Sequence, residues 1–321
     1  MATLLVVSDI HYASAAEQAR RGYWASAITN PLLRAASEAY RHFIWLRDPL
    51  RHNHLLEKFL DRAGAPDLVV ANGDYSCDSA FVGVSDEAAF QSAQECLDKL
   101  RRHFGEKLLA ICGDHEFGKQ SLFGGAGGLR WASWRRATGQ LGLRPFWRVE
   151  SGRYVFLGVT STLIALPVFA PEILKEERAL WEQRRAAHLA EIRSALNALQ
   201  PEQRVILFCH DPSALPFLWH DESIRRRLPQ VEQTIIGHLH SPLILWKSRR
   251  LAGMPAIPFL GNTVRRLSTA LREAGHWRDF KVRLCPSLAG IELLKDGGWL
   301  EMEFDPEAKR PARFQLHKLP R

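Results

Sequence analysis

Short apolar runs recur along the chain, and a polar residue that can bind a metal ion follows each of them closely. The runs cover residues 4–7, 68–71, 108–112, 205–209 and 234–236 and consist mainly of Val, Leu, Ile and Ala. Such runs, separated by stretches with helical character, are typical of buried strands in a parallel or mixed sheet. A further run at 154–159 predicts another strand. We expect an α/β fold whose polar residues meet at the carboxyl ends of the strands.

The long segment between the first two runs predicts a helical insertion. Residues 12–64 exceed what one crossover helix requires, and their pattern predicts helices over 32–46 and 50–63, separated by Asp48-Pro49. Aromatic and basic side chains are interleaved in this segment, including Tyr40, Phe43, Trp45, Arg41 and Arg47. The pattern is typical either of an extra packing layer or of a rim that grips an anionic, partly apolar ligand, and both remain open.

Later segments complete the predicted topology. Residues 176–199 have the periodicity of an amphipathic helix. Apolar runs at 257–260, 288–294 and 300–304 predict C-terminal strands, and Gly297-Gly298 predicts that the last two pair as a hairpin. We expect these strands to complete a second sheet within about 256–317, and the whole chain, 1–321, to form a single domain.

Charge and cysteine content narrow the functional classes. The formal net charge of +8 favours anionic partners such as phosphorylated metabolites, lipid headgroups or nucleic acid. No nucleic-acid-binding motif accompanies the Arg clusters, so nucleic acid is the less favoured partner. The five Cys lack the paired spacing of a disulfide framework or a zinc knuckle. Because the first strand begins almost at the first residue, no signal peptide is expected and a cytoplasmic location is the default.

The polar residues after the strands form a series with one chemical character. In chain order they are Asp9-Ile10-His11, Gly73-Asp74, Gly113-Asp114-His115-Glu116, His210 and Gly237-His238-Leu239-His240. Carboxylates and imidazoles suit first-row divalent ions, and two such ions about 3.5–4 Å apart neutralise phosphate oxygens and acidify a water molecule. Each residue alone is common at a strand end or turn. Together the series predicts a two-metal hydrolase site.

The order of these motifs resembles that of the calcineurin-like metallophosphoesterases, and the resemblance runs from Asp9 to His240. It implies a four-layer α/β/β/α sandwich of two mixed sheets flanked by helices, with the helical insertion after the first strand. It also implies a dinuclear metal-dependent phosphoesterase that hydrolyses a phosphodiester, a pyrophosphate or a phosphomonoester, with a metal-activated bridging water as nucleophile. The expected cofactors are two divalent ions, Mn, Fe or Zn, with Mn favoured.

The resemblance further assigns roles to individual residues. Two triads would hold the two ions, with Asp74 bridging both: Asp9, His11 and His240 for one ion, and Asp114, His210 and His238 for the other. His115 would assist the leaving group as a cation or general acid, and Glu116 would orient the His115 imidazole. The spacing within Asp9-Ile10-His11 and within His238-Leu239-His240 predicts extended segments whose paired side chains share one side.

Two positions depart from the family pattern. Asp114 stands where the family usually has Asn, and its extra negative charge would favour harder metals such as Mn or Mg and leave the bridging water less acidic. Asp78 lies four residues after Asp74 rather than three, which weakens a role for Asp78 in orienting His115. The Gly-rich stretch 124–128 is either a lid over the site or a connecting loop.

Several functions share this motif series. In layout the chain also resembles UDP-diacylglucosamine-type pyrophosphohydrolases, which would make the insertion a contact for a lipid-linked substrate or a membrane surface. Cyclic-nucleotide phosphodiesterases and DNA-repair nucleases carry similar ligands. A different class is a non-catalytic interaction platform on the same fold, although all the ligand positions still carry ligating side chains. Hydrolysis of a chromogenic phosphoester that is lost on Asp74→Asn would exclude the platform.

Overall fold

Two mixed sheets of five strands each form the centre of the computed structural model, which describes residues 1–20, 22–26, 28–77, 81–120, 127–257 and 262–319. The strands are β1 (Ala2–Val7), β2 (Leu68–Ala71), β3 (Leu108–Ala110), β4 (Phe146–Ser151), β5 (Tyr154–Val159), β6 (Arg204–Cys209), β7 (Val231–Ile236), β8 (Val282–Leu284), β9 (Gly298–Phe304) and β10 (Arg313–Lys318). The strand orders are β10-β9-β1-β2-β3 and β4-β5-β6-β7-β8. Strands β1 to β3 are parallel to one another, and so are β5 to β8.

Helices pack against the two sheets. Their bounds are α1 (Ala15–Gln18), α2 (Tyr23–Ser26), α3 (Pro31–Phe43), α4 (Asn53–Arg62), α5 (Glu87–Phe104), α6 (Trp131–Arg135), α7 (Ser161–Ile164), α8 (Leu166–Phe169), α9 (Arg178–Asn197), α10 (Leu215–Trp219), α11 (Glu222–Arg225), α12 (Pro242–Arg250) and α13 (Asn262–Arg272). The long helix α5 lies against β3, and α9 lies against β4. In the part of the chain described here, no helix combines the length and apolar character needed to cross a membrane.

The buried side chains divide into two layers because successive strand residues point to opposite faces of a sheet. Leu4 and Val70 of the first sheet pack with Phe156 and Phe208 of the second in a core between the sheets. The alternate strand residues, such as Leu5, join the helices in a larger core. Burial on both faces explains why the strands are continuous apolar runs in the sequence. The predicted four-layer arrangement of two mixed sheets flanked by helices is confirmed.

The predicted C-terminal hairpin is wrong in one of its strands. Residues 288–294 form turns, and β9 pairs instead with β10, with Phe314 opposite Met302. The other edge of β9 pairs with β1, so β9 and β10 extend the first sheet, whereas β8 joins the second. The backbone N–H groups of Glu292 and Leu293 donate to the carbonyls of Trp45 and Ile44, directly after α3, rather than to a strand. Residues 258–260, Asp78 and most of the stretch 124–128 lie outside the described residues.

The two helices expected in the insertion are present as α3 and α4 and differ in burial. Asn30 caps α3 by accepting from the N–H groups of the first turn, and Pro31 occupies the first helical position, where its missing N–H costs nothing. Helix α4 buries four apolar side chains, namely Leu55, Leu56, Phe59 and Leu60. Helix α3 buries only Ser37. The second helix is therefore a packing layer, and the first leaves its apolar side chains at the surface.

Candidate metal centre

The carboxyl ends of parallel strands from both sheets bring the polar motifs together. The motif residues follow β1, β2 and β3 in the first sheet and β6 and β7 in the second: Asp9 and His11, then Asp74, then Asp114 to Glu116, then His210, and finally His238 and His240. All of them are buried except His238, whose side chain is 24% exposed. Because side chains of both sheets meet here, the centre depends on how the two sheets pack together.

The backbone at five of the motif residues is left-handed rather than extended. The prediction of extended segments at Asp9-Ile10-His11 and His238-Leu239-His240 is therefore wrong. The φ angles are 49° at Asp9, 50° at His11, 58° at Asp74, 48° at His238 and 59° at His240. Left-handed backbone costs an L-residue roughly 1–2 kcal/mol, although Asp and His adopt it more readily than most. Such strain is concentrated at functional sites. Here it turns the chain sharply after β1, β2 and β7 and directs side chains into the centre.

Seven carboxylate and imidazole side chains form two adjoining groups. Asp74, Asp114, His210 and His238 offer ligand atoms that all lie within 4.8 Å of one another, and so do Asp9, His11 and His240. Asp74 Oδ2 lies 3.1 Å from His210 Nε2, and Asp9 Oδ1 lies 3.2 Å from His240 Nε2. The two groups approach each other where His210 Nε2 lies 3.9 Å from Asp9 Oδ1. The structure thus brings together the two sets of residues that the resemblance assigned to two ions.

The hydrogen bonds of Asp9 and Asp74 leave one oxygen of each facing the centre. Asp9 Oδ2 accepts from Ser8 Oγ at 2.5 Å and from the His238 N–H at 3.1 Å, and Asp74 Oδ1 accepts from the His115 N–H at 3.0 Å. Four buried atoms of this centre make no hydrogen bond to any described residue: Asp9 Oδ1, Asp74 Oδ2, Asp114 Oδ2 and His210 Nε2. Buried polar atoms rarely lack a partner. Divalent cations would satisfy these atoms, so the residues fit two such ions.

Backbone carbonyls from one short segment orient three of the imidazoles. The Nδ1 atoms of His11, His115 and His210 lie 3.1, 3.1 and 2.7 Å from the carbonyl oxygens of residues 76, 77 and 72, respectively. A carbonyl oxygen can only accept, so each Nδ1 carries the proton of its hydrogen bond. The Nε2 atom of each neutral ring is then left to bind a metal ion or to exchange a proton.

The electrostatics of the cluster favour ionised carboxylates and a neutral His11. Burial would lower the pKa of His210 and His238, but the carboxylates around them outweigh it and raise both. Burial alone would raise the pKa of Asp9 and Asp74, but the imidazoles around them hold each pKa well below its usual range. His210 lowers both values, together with His240 at Asp9 and His115 at Asp74. Burial, followed by the nearby imidazoles of His115 and His240, lowers the pKa of His11 to about 3. Ionised carboxylates and a neutral His11 are the forms that coordinate cations.

Glycines let the motif loops approach one another closely. A Cβ atom at Gly113 would overlap the carboxylate of Asp74, and one at Gly237 would overlap Ser8 Oγ and the carboxylate of Asp9. The glycines directly before Asp114 and His238 are therefore required by the packing of backbone against a neighbouring ligand, and any side chain at these two positions would push the carboxylates out of place.

Glu116 has contacts that differ from its predicted role. Its carboxylate accepts hydrogen bonds from the backbone N–H groups of Gly113, Tyr75 and Asp74 at 2.7, 2.9 and 3.1 Å, whereas His115 Nδ1 lies against a carbonyl. Burial, followed by the negative charge of Asp74, raises the pKa of Glu116 to about 7. Glu116 therefore ties the loop after β2 to the loop after β3, which together carry Asp74 and Asp114.

Two contributors to the centre were missed by the sequence reasoning. Ser8 fixes one oxygen of Asp9, and Lys119 Nζ lies 3.4 Å from Asp114 Oδ2. Lys119 offsets the negative charge that Asp114 adds. The expected preference for harder metals, which rested on that charge, did not take Lys119 into account. Ser8 could have been noticed as the hydroxyl directly before the first ligand. Lys119 lies beyond the motif and gave no signal.

Comparison with known proteins finds a family match over most of the chain and solved structures of low sequence identity. The sequence pattern of the family described as calcineurin-like phosphoesterase matches residues 2–242. Similar solved structures include a dimetal phosphatase from Danio rerio, with 13% identity, 94% of this chain and 92% of that chain covered, and a TM-score of 0.42. Another is the phosphopantetheinyl hydrolase from Mycobacterium tuberculosis, with 15% identity, 74% and 83% covered, and a TM-score of 0.32. Among curated proteins, no significant match was found.

Proposed function

Because the chain belongs to the calcineurin-like phosphoesterase family, whose pattern covers residues 2–242, we propose that it is a dinuclear metal-dependent phosphoesterase. Its substrate would be a phosphodiester, a pyrophosphate or a phosphomonoester. The observation that carries the proposal is the pair of adjoining ligand groups, in which Asp9 Oδ1, Asp74 Oδ2 and Asp114 Oδ2 are buried without a hydrogen bond among the described residues. Mn is the favoured metal.

Each side chain of the centre has a definable part in this function. Asp9, His11 and His240 would hold one ion, and Asp114, His210 and His238 the other. Asp74 would be shared, since its Oδ2 lies 3.1 Å from His210 Nε2 and its carboxylate also groups with His11. When bound, two divalent cations neutralise phosphate oxygens and lower the pKa of a water molecule.

His115 is positioned to act on the leaving group. Its Nε2 lies 3.7 Å from Asp74 Oδ2, and its ring centroid lies 4.8 Å from that of His11. In its cationic form His115 carries a proton on Nε2 in addition to the one that Nδ1 donates to the Cys77 carbonyl, and the Nε2 proton is the one it can give to the departing oxygen. The partly exposed His238 marks the side from which a phosphate group would approach.

Hydrolysis of chromogenic esters tests the proposal. Wild-type protein with added Mn is expected to hydrolyse bis(p-nitrophenyl) phosphate, p-nitrophenyl phosphate, or both, and Asp74→Asn is expected to abolish the activity. Asp61→Asn, on the exposed surface of α4, is the matched control and should behave as wild type. Absence of hydrolysis with Mn, Fe or Zn, together with absence of bound metal by elemental analysis, would refute the proposal and favour a non-catalytic interaction platform.

A further inference from the structure

An apolar cavity adjoins the candidate metal centre. Its volume is about 380 Å³, and its walls include Tyr40 and Trp45 of the insertion, Ile244 of α12, Leu271 of α13, and Trp277. Ligand-binding cavities that hold small organic molecules typically measure about 300–1,000 Å³ and are lined mainly by apolar and aromatic side chains. The cavity therefore has the size and lining of a binding site rather than of a packing defect.

The cavity is continuous with the metal centre. His238 and His240, one from each ligand group, form part of its wall. The Trp45 ring packs on His240, with the two ring centroids 4.7 Å apart. A molecule in the cavity would therefore contact the insertion on one side and the ligand imidazoles on the other. A phosphate at the metal centre and an apolar group in the cavity could belong to one molecule.

Cationic side chains are also part of the cavity wall. Lys119 lies on the side of the metal centre, where its Nζ is 3.4 Å from Asp114 Oδ2. Arg41 stacks over Trp24 at 4.4 Å, and both residues line the cavity. The lining thus combines an apolar interior with positive charge, which matches a molecule that has an apolar chain and an anionic head.

The elements around the cavity expose further apolar side chains. Leu32 and Phe43 of α3 are 79% and 64% exposed, Leu267 of α13 is 56% exposed, and Trp246 of α12 is 54% exposed. Arginines lie among them, and Arg250 stacks over Trp246 at 5.0 Å. Helices with apolar and basic side chains interleaved at the surface are typical of proteins that rest on anionic lipid surfaces. We call these four apolar residues the apolar rim.

We propose that the substrate is an amphiphilic phosphoester whose apolar chain occupies this cavity while its phosphate lies at the metal centre, and that the apolar rim rests on the lipid surface that presents it. This inference depends on the proposed function for its reaction but not for the binding of the chain. Since one water-sized group occupies about 30 Å³, the cavity has room for on the order of ten methylene-sized groups.

A chain-length series measures the contribution of the cavity. The substrates are methyl, hexyl and dodecyl p-nitrophenyl phosphodiesters, assayed with Mn below their micelle-forming concentrations. For wild-type protein, KM is expected to fall by about fourfold per buried methylene until the cavity is full. Ala270→Trp adds an indole to the cavity wall and should remove this dependence, so that KM for the dodecyl ester rises towards KM for the methyl ester. Ala186→Trp, at an exposed position of α9, is the matched control.

Binding without hydrolysis separates this inference from the proposed function. Isothermal titration of metal-free protein with dodecylphosphonate, which has no ester bond, should show binding that Ala270→Trp abolishes and that methylphosphonate does not reproduce. Such binding without hydrolysis of any ester would support the chain site and refute the proposed function. Hydrolysis that is independent of chain length, with no dodecylphosphonate binding, would overturn the inference and leave the proposed function intact. Neither binding nor hydrolysis would overturn both.

Vesicle flotation tests the lipid surface. Wild-type protein should float with vesicles that contain anionic phospholipid, and the double variant Phe43→Ser, Trp246→Ser should not. The double variant Leu180→Ser, Leu316→Ser changes two exposed leucines, on α9 and β10, that are not part of the apolar rim, and should float normally. The proposal that the apolar rim rests on a lipid surface is wrong if wild-type protein does not float with the vesicles. It is also wrong if sedimentation shows that wild-type protein is a dimer and the rim variant is a monomer.

Discussion

Glu116 offers the sharpest test of how the candidate centre is held together. Its carboxylate accepts three backbone N–H bonds, from Gly113, Tyr75 and Asp74, and the side chain is fully buried. Removing an acceptor and leaving a buried N–H group without a partner costs about 1–3 kcal/mol. Glu116→Leu leaves all three N–H groups without their acceptor and should lower the free energy of unfolding by roughly 3 kcal/mol or more.

Glu116→Gln separates the contribution of shape from that of the hydrogen bonds. The Gln side chain keeps the size of Glu but has one oxygen, and its NH₂ group cannot accept from an N–H. At least one of the three bonds is lost, and the free energy of unfolding should fall by about 1–3 kcal/mol. Urea denaturation of metal-free protein measures both variants. Glu106→Gln and Glu106→Leu, at an exposed position, are the controls.

The same variants should lower the affinity of the centre for metal ions, although neither variant replaces a metal ligand. The loops that carry Asp74 and Asp114 are joined through Glu116, so their carboxylates should lose alignment in both variants. Losing a residue that orients ligands typically lowers metal affinity by about 10–100-fold. The reasoning is refuted if Glu116→Leu unfolds at the same urea concentration as Glu116→Gln, or if either variant binds Mn as tightly as wild type.

Three further predictions follow from other contacts. Gly113→Ala places a methyl group against the Asp74 carboxylate and should abolish Mn binding, whereas Gly139→Ala, which has open space around it, should leave Mn binding unchanged; isothermal titration compares the two. His115→Asn should slow hydrolysis of phenyl phosphate by about 10²–10⁴-fold and of p-nitrophenyl phosphate much less, because the better leaving group needs no proton; equal losses would contradict the general-acid role. Burial lowers the pKa of His188 below 6.5, outweighing Glu191, so this residue contributes stability that is present above about pH 6.5 and lost as the pH falls. His188→Gln should flatten the loss of stability on acidification, as measured by urea denaturation across this range, and an unchanged slope would be evidence against it.

The sequence allowed the site residues to be located because their positions depend on local patterns. Strands buried on both faces appear as continuous apolar runs, and β2 and β5 have the predicted bounds. Parallel strands carry their functional groups at the carboxyl ends, so motifs far apart in the chain could be expected to meet. The two-sheet architecture required the family resemblance in addition, since strand order is not a local property.

Other features depend on contacts between distant residues and could not be predicted. The pairing of β9 with β1 places Leu4 opposite Met302, and no pattern near either residue specifies this register. The left-handed backbone at Asp9 and His11 arises because the chain must turn after β1 while it bonds to the loop after β2. The contact of Lys119 with Asp114 depends on the path of the chain beyond the motif.

The use of main-chain carbonyls to orient the imidazoles has a consequence for sequence variation. His11 and His115 are aligned by oxygen atoms that every amino acid possesses, at Ser76 and Cys77. Replacement of either side chain by one of similar size would leave those oxygens in place. Relatives of this protein can therefore carry other small side chains at both positions and keep the same imidazole geometry, so residue identity there is a poor guide to catalytic competence.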